Sequence, residues 1–481
     1  MAARLRRFPV DGWLDPADAF VALFADAPAA VWLDSGADAV AGRSYLATGD
    51  VVATSSVLDA QVRVETPHGK RIVGGTMLDF LRADLAERPR LAPLHPEPSF
   101  ALGWVGWLGY ESGAAEWNVP IEQAETRDAS MLFVSRALVF DHERRTVELI
   151  AGDGCEGDAV DTDLEAWAAE VRAGLSTASG AAERHRSAHA GPFEHPAPAH
   201  WRHGPDEYLG LIAECQESIK RGDAYQLCLT DEASASVDRD ALAVHLRLRA
   251  ASPAHHAGFV RIGDTALVSS SPERFLAVTA EGRVQTKPIK GTRPRGATLT
   301  RDLDLRAELE ASEKERAENV MIVDLMRNDL GRVCEVGSVE VNHLLAVESY
   351  PQVHQLVSTV EGRLLAGLGA LDAVAACFPA GSMTGAPKLS AMRILNRLEA
   401  GPRGVYAGCF GYFGLDGAAD LAMVIRSVVV KPGRLSIGAG GGITASSVPE
   451  EEVEEVAVKA AALLAAAGLS ADGNGSGRSN V

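Results

Sequence analysis

Glu315 and Glu318 stand three residues apart in "SEKERAENVMIVDLMRNDLG", and Glu452 and Glu455 repeat that spacing in "SSVPEEEVEEVAVKAAALL". On a helix, each such pair projects from one face. Two pairs facing each other across a cleft would offer hard oxygen ligands to a divalent cation such as Mg²⁺, with water and a substrate oxygen completing the shell. Capping is the plainer reading of the same acids. Ser312 and Glu315 form an S-x-x-E capping box, and acids in the first turn after Pro449 suit the helix dipole. Lys459 follows Glu455 by four residues on the same side.

A second constellation is basic. "KPIKGTRPR" (287–295) gathers four cations in a chain of formal net charge −19, with 46 Lys plus Arg against 65 Asp plus Glu. A Pro- and Gly-bearing turn between strands often carries solvated Lys and Arg. The sharper reading holds Lys290 where a small anion arrives. A third is "GAGGGITASS", whose glycines at 438 and 440 to 442 would leave backbone N–H groups free for an anion at a helix start, or would simply make a tight packing turn. It is no nucleotide loop, since the Lys-Ser/Thr of a P-loop is missing and residue 443 is Ile.

The rest of the chain must position these groups. At 481 residues and 47% hydrophobic, it can bury a sizeable core. Its acidity argues against nucleic-acid or anionic-membrane partners, whose phosphate attraction would have the wrong sign. Cys155, Cys215, Cys228, Cys334, Cys377 and Cys409 show no zinc spacing, as expected of free thiols in a reducing cytoplasm. "MAARLRRFPVDGW" has no apolar core of a signal peptide and no run spans a membrane, so a cytoplasmic protein is expected.

Short apolar runs broken by Gly, Asp and Pro predict a mixed lobe over 1–178, ending in a helical "DLEAWAAEVRAGL". Residues 179–205 read as a low-complexity linker. Its histidines (185, 189, 195, 200, 203) are too irregularly spaced to suggest a metal site. A second lobe over 206–467 opens with a helix and a hairpin turned at Gly263-Asp264, and 468–481 reads as a disordered Gly- and Ser-rich tail.

Eight segments carry a resemblance: "SSSPERF" (269–275), "TKPIKGTR" (286–293), "KERAENVMIVDLMRNDLGRV" (314–333), "VHQLVSTVEG" (353–362), "PAGSMTGAPK" (379–388), "YAGCFGYF" (406–413), "IRSVVV" (425–430) and "GAGGGITA" (438–445). In unbroken order they resemble the chorismate-utilising enzymes, and "WLDSG" and "GWVGWLGYE" extend the likeness weakly into the first lobe. The resemblance implies an α+β fold of the anthranilate-synthase type, in which two large antiparallel sheets from both chain halves form a sandwich flanked by helices. It implies Mg²⁺ at Glu315, Glu318, Glu452 and Glu455. Tyr406, Arg426, Gly440, Gly442 and Lys459 would line the chorismate carboxylates, Thr292 and Glu273 the reacting ring, with Gln226 and Gly291 in the same substrate site.

Inside the family, Lys290 is the discriminator. The "PIKGT" form implies that Lys290 attacks C2 as the C4 hydroxyl leaves with a proton from Glu273, after which ammonia enters at C4. Anthranilate- and isochorismate-forming relatives typically have Ala there. The expected product is 4-amino-4-deoxychorismate, for 4-aminobenzoate and folate or a related secondary metabolite, with ammonia from a separate glutamine amidotransferase subunit. The alternative is the anthranilate-forming branch, against which Gln355 stands where that branch has His, with His354 one residue early. Ser446 replaces a common Asp, and "SPAHH" (252–256), Ser35 and Ser44 give poor support for a tryptophan pocket. A non-catalytic paralogue is disfavoured because neither the acidic pairs nor Lys290 are eroded.

Overall fold

The structure, a computed structural model, describes residues 4–153, 163–189, 196–350 and 353–471. The alternating apolar runs assemble into two large sheets, of 13 and 12 strands among the described residues. Pairing is antiparallel except where Ala197–Trp201 runs parallel to Leu469–Ala471. The architecture is therefore α+β, with helices packed around a pair of sheets.

Both halves of the chain contribute neighbouring strands to each sheet, as the resemblance implied. In the first, Ala29–Asp34 pairs with His256–Ile262, placing Trp32 opposite Phe259. In the second, Gly103–Leu108 pairs with Cys409–Gly414, placing Trp107 opposite Phe410. The hairpin expected at Gly263-Asp264 is present, closing on Ile262 opposite Thr265.

The sheets pack face to face on a shared apolar core. Tyr45 of the first meets Tyr412 of the second edge-on, with centroids 6.4 Å apart. At Gly258 the approach is so close that a Cβ would come within 2.5 Å of the Phe410 ring. The outer face of the first sheet is covered by helices, including Pro16–Phe24, Pro205–Lys220, Ala241–Ala251 and Pro449–Ala467. Trp32, Trp104 and Trp107 are fully buried. At roughly 25 cal/mol per Å² of apolar surface, such rings dominate the driving force for closing the sandwich.

The stretch read as a linker holds more order than its composition suggested. Ala181–His189 is a helix, and its start is capped in trans by Asp18, which accepts from Gly180 N and Ala182 N at 2.9 Å each. His185 and His189, irregular in the sequence, lie on successive turns with centroids 4.3 Å apart, and His185 Nε2 sits 2.9 Å from Asp240 Oδ1. That carboxylate oxygen also accepts from Ala243 N at 2.6 Å, capping the next helix. Ala197–Trp201 is a strand because Gln226–Ala235 and Leu469–Ala471 pair with its two edges. The first residues of the expected tail are thus ordered: Gly468 closes the preceding helix at φ 66, and a strand follows. Residues 190–195 of the linker and 472–481 of the tail lie outside the described residues.

Among the described residues, no helix is long and apolar enough to cross a membrane. Cys215, Cys228, Cys334, Cys377 and Cys409 are buried free thiols, and Cys155 lies outside the described residues.

Candidate active site

Two strand pairs and two helix starts frame the site. Gln226–Ala235 pairs with Arg434–Ile443, setting Cys228 opposite Gly442 and Thr230 opposite Gly440. Ile289–Pro294 pairs with Val353–Arg363, setting Thr292 opposite Gln355. The register shifts between Ile289 and Thr292, so Lys290 and Gly291 occupy a bulge. Bulges re-aim a side chain out of the ladder, and this one turns Lys290 inward. Gly291 has φ 83, and a Cβ there would lie 2.8 Å from the Glu315 carboxyl and 2.8 Å from Leu309. Only glycine fits this place.

The glycine run differs from its sequence reading. Residues 438–443 are the end of a strand rather than a helix-start loop, because Gln226–Ala235 supplies a partner that no local pattern announces. Their small size serves close approach. A Cβ on Gly438 would strike the Tyr406 ring at 2.1 Å, and one on Gly441 would come within 2.7 Å of Glu452 Oε2. One on Gly442 would meet Gln226 Nε2 at 2.1 Å and lie 3.4 Å from Lys290 Nζ. The Lys290 amine and the Gln226 amide therefore share the floor above Gly442.

The two acidic helices arrive as expected, at Glu313–Gly331 and Pro449–Ala467. Ser312 caps the first by accepting from Glu315 N at 3.4 Å, but the Glu315 carboxylate does not complete the box. It turns instead to Arg293 at 3.5 Å. Glu452 is 2% exposed and accepts from Ser447 Oγ at 2.8 Å. Burial raises the Glu318 pKa, Lys290 and Lys314 lower it, and Glu315 and Glu452 add to the rise. Glu455 sits 2.5 Å from Lys459, whose charge helps to hold its carboxyl below the usual range. By the chemistry of its donors the set suits a hard divalent cation: four carboxylates from two helices, one deeply buried and oriented by a hydroxyl.

Glu273, within the field of the Lys290 and Lys459 charges, is 8% exposed. Burial lifts its pKa to about 7, against the pull of a hydrogen bond donated by Ser382 Oγ at 3.0 Å and of the Lys290 and Lys459 charges. Lys459 Nζ donates to Gly440 O at 2.8 Å. Arg426 adopts φ 51; burial lowers its pKa, while the Tyr406 hydroxyl and Glu455 partly restore it. Thr292 is exposed at the rim. Two buried polar atoms in this region have no partner, Gln226 Oε1 and Gln355 Oε1.

The basic stretch is not a free positive patch. Lys287 faces Glu348 at 3.2 Å, Lys290 faces Glu318 at 3.7 Å, Arg293 faces Glu308 at 2.8 Å and Arg295 faces Asp302 at 2.8 Å. Arg293 is held between Glu308 and Glu315.

A model of the chorismate binding enzyme family matches residues 30–465. The chain belongs to this family. This chorismate binding enzyme is 43% identical over 456 residues to the aminodeoxychorismate synthase of Streptomyces pristinaespiralis, covering 92% of this chain and 62% of that one. It is 38% identical to aminodeoxychorismate synthase component 1 of Klebsiella aerogenes, covering 75% of this chain and 76% of that one. The crystal structure of anthranilate synthase component I from Streptococcus pneumoniae superposes with a TM-score of 0.73 at 30% identity, covering 89% of this chain and 93% of that one. The chain spans about three fifths of the length of the aminodeoxychorismate synthases of Streptomyces pristinaespiralis and Streptomyces griseus.

In this chorismate binding enzyme, several site residues were not assigned roles from the sequence. Ser382 lies inside the quoted "PAGSMTGAPK" segment, yet nothing local links it to Glu273. Ser447, one residue beyond the noted Ser446, is the hydroxyl that orients Glu452, while Ser446 is exposed with its hydroxyl 3.2 Å from Thr444 Oγ1. His354 is bonded to Ser349 and Asp302, with 2.8 and 2.9 Å contacts, and so serves the strand pair. A separate cavity of about 350 Å³ is lined by Ser35, Tyr45, His255, His256 and Arg274. Ser44 is bonded to Asp34 and His142 instead, at 2.8 Å each.

Proposed function

We propose that this chorismate binding enzyme converts chorismate and ammonia to 4-amino-4-deoxychorismate and water, with Lys290 as nucleophile. The observation that carries the reading is the bulge that brings the Lys290 amine over Gly442, beside Gln226 and within the field of a buried Glu273. Chorismate is a dianion. Arg426 and Lys459 take one carboxylate, and Tyr406 walls that side. Glu315, Glu318, Glu452 and Glu455 would hold Mg²⁺, which when bound neutralises the other carboxylate.

Lys290 Nζ, as the free amine, forms a bond to C2; the ring double bonds shift, and the C4–O bond breaks with a proton from Glu273, releasing water. Ammonia then bonds to C4 and gives a proton back to the Glu273 carboxylate, the double bonds return, and the C2–N bond breaks to restore Lys290. Glu273 suits this because burial keeps its carboxyl partly protonated near neutral pH. Pyruvate elimination finds less support. Gln355, not a histidine, faces Thr292, and the neighbouring His354 ring is engaged by Ser349 and Asp302.

The ammonia donor we assign to a glutamine amidotransferase subunit, and the compartment to the cytoplasm. Chorismate supplied with Mg²⁺ but without ammonia should leave an adduct on the Lys290 peptide, detected by mass spectrometry. An unmodified Lys290 peptide from that ammonia-free incubation would refute the covalent route.

A further inference from the structure

Each carboxylate of the quartet already faces a cation of its own. Glu315 has Arg293 at 3.5 Å, Glu318 has Lys290 at 3.7 Å, Glu452 has Lys314 at 3.6 Å and Glu455 has Lys459 at 2.5 Å. Three of these cations have other tasks. Arg293 is anchored on Glu308 at 2.8 Å, outside the quartet. Lys290 and Lys459 face the substrate floor. Lys314 has none.

Its position is also unfavourable on local grounds. Lys314 is the second residue of the Glu313–Gly331 helix, where the dipole favours anions and disfavours a cation. Yet its ammonium lies in the field of all four acids, Glu452 first. The two ends of this contact differ in access. The Lys314 side chain is 48% exposed, while that of Glu452 is 3% exposed and held by Ser447. Glu452 is thus a fixed ligand, and Lys314 a long arm that reaches it from solvent.

Resting on the divalent-cation reading of the quartet, we propose that Lys314 is a built-in counter-ion of the carboxylates that competes with the metal and so sets its affinity. A cation of charge +2 and an ammonium cannot both sit against Glu452 without strong repulsion, so the arm must swing toward water when the metal enters. Repelling a cation that is already half exposed is possible because its four-carbon stem has many solvated rotamers. Lys314 thereby offsets the mutual repulsion of the four carboxylates, at the expense of metal affinity.

The test is calorimetric titration of the full chain with Mg²⁺, alone and with chorismate, for wild type, Lys314→Gln and Lys314→Arg. Lys314→Gln should bind Mg²⁺ about tenfold more tightly, the scale of one partly screened unit charge at this distance. Lys314→Arg, which keeps the charge, should stay within a few-fold of wild type. Wild-type binding with an unchanged or weaker Lys314→Gln would overturn the competition while leaving the quartet as the metal site. Failure of wild type to bind Mg²⁺, or binding indifferent to Glu455→Gln, would remove the metal reading and this inference together.

Discussion

Lys290→Ala leaves the quartet, Arg426 and Lys459 in place, so the expected signature is a fall in kcat of about two orders of magnitude or more with a modest change in chorismate affinity. Lys290→Arg should be as poor, because a guanidinium keeps the charge without a usable nucleophile. Near-normal turnover by the Arg variant would make Lys290 electrostatic only. Glu273 gives a pH prediction. With a carboxyl near 7, the required protonated form is lost as pH rises through that value, so kcat/KM for chorismate, corrected for free ammonia, should descend above about pH 7. The Ser382 hydroxyl favours the charged carboxylate, so Ser382→Ala should raise the Glu273 pKa and move the limb to higher pH. A limb that stays put would detach Glu273 from the acid role. At this scale, the glutamate pairs and Lys290 carry side-chain chemistry and spacing that a string of letters displays, whereas Glu273 entered only through the resemblance. The counter-ions of the basic stretch were not legible, since Glu318 and Glu348 reach Lys290 and Lys287 only after the strands and helices have been placed.

The bulge that aims Lys290 depends on one residue without a side chain. Gly291→Ala combines a strained φ of 83 with a Cβ 2.8 Å from Glu315. It should cost roughly 1–3 kcal/mol of stability in urea denaturation and weaken Mg²⁺ binding as Glu315 is pushed aside. Native stability and metal affinity together would show that the bulge tolerates a side chain. The acidic helices were readable because the i, i+3 period and Pro449 are local signals. The glycine strand was not: a run such as "GAGGG" has no alternation and weak strand propensity, and it is a strand only because Gln226–Ala235 pairs with it. The helix at Ala181–His189 was hidden for a similar reason, since its cap is Asp18, far away in the chain.

The interleaving of the halves places strands from both in each sheet. Removing residues before 206 would strip Ala29–Asp34 and Gly103–Leu108 from their sheets, exposing the edges of His256–Ile262 and Cys409–Gly414 and half of the shared core. Residues 206–471 expressed alone should therefore be insoluble or lack native near-UV dichroism, whereas the whole chain should unfold in one transition; a soluble, native-like fragment would contradict this. Sequence patterns announced the strands and the resemblance implied their sandwich, but which strand lies beside which is decided by burial between distant segments. The whole chain also decides the chemistry, since the site joins both sheets. The most direct test incubates it with chorismate, Mg²⁺ and ammonium and identifies the product by mass. The account predicts 4-amino-4-deoxychorismate from wild type and its loss in Lys290→Ala. Anthranilate or isochorismate as the wild-type product would contradict it.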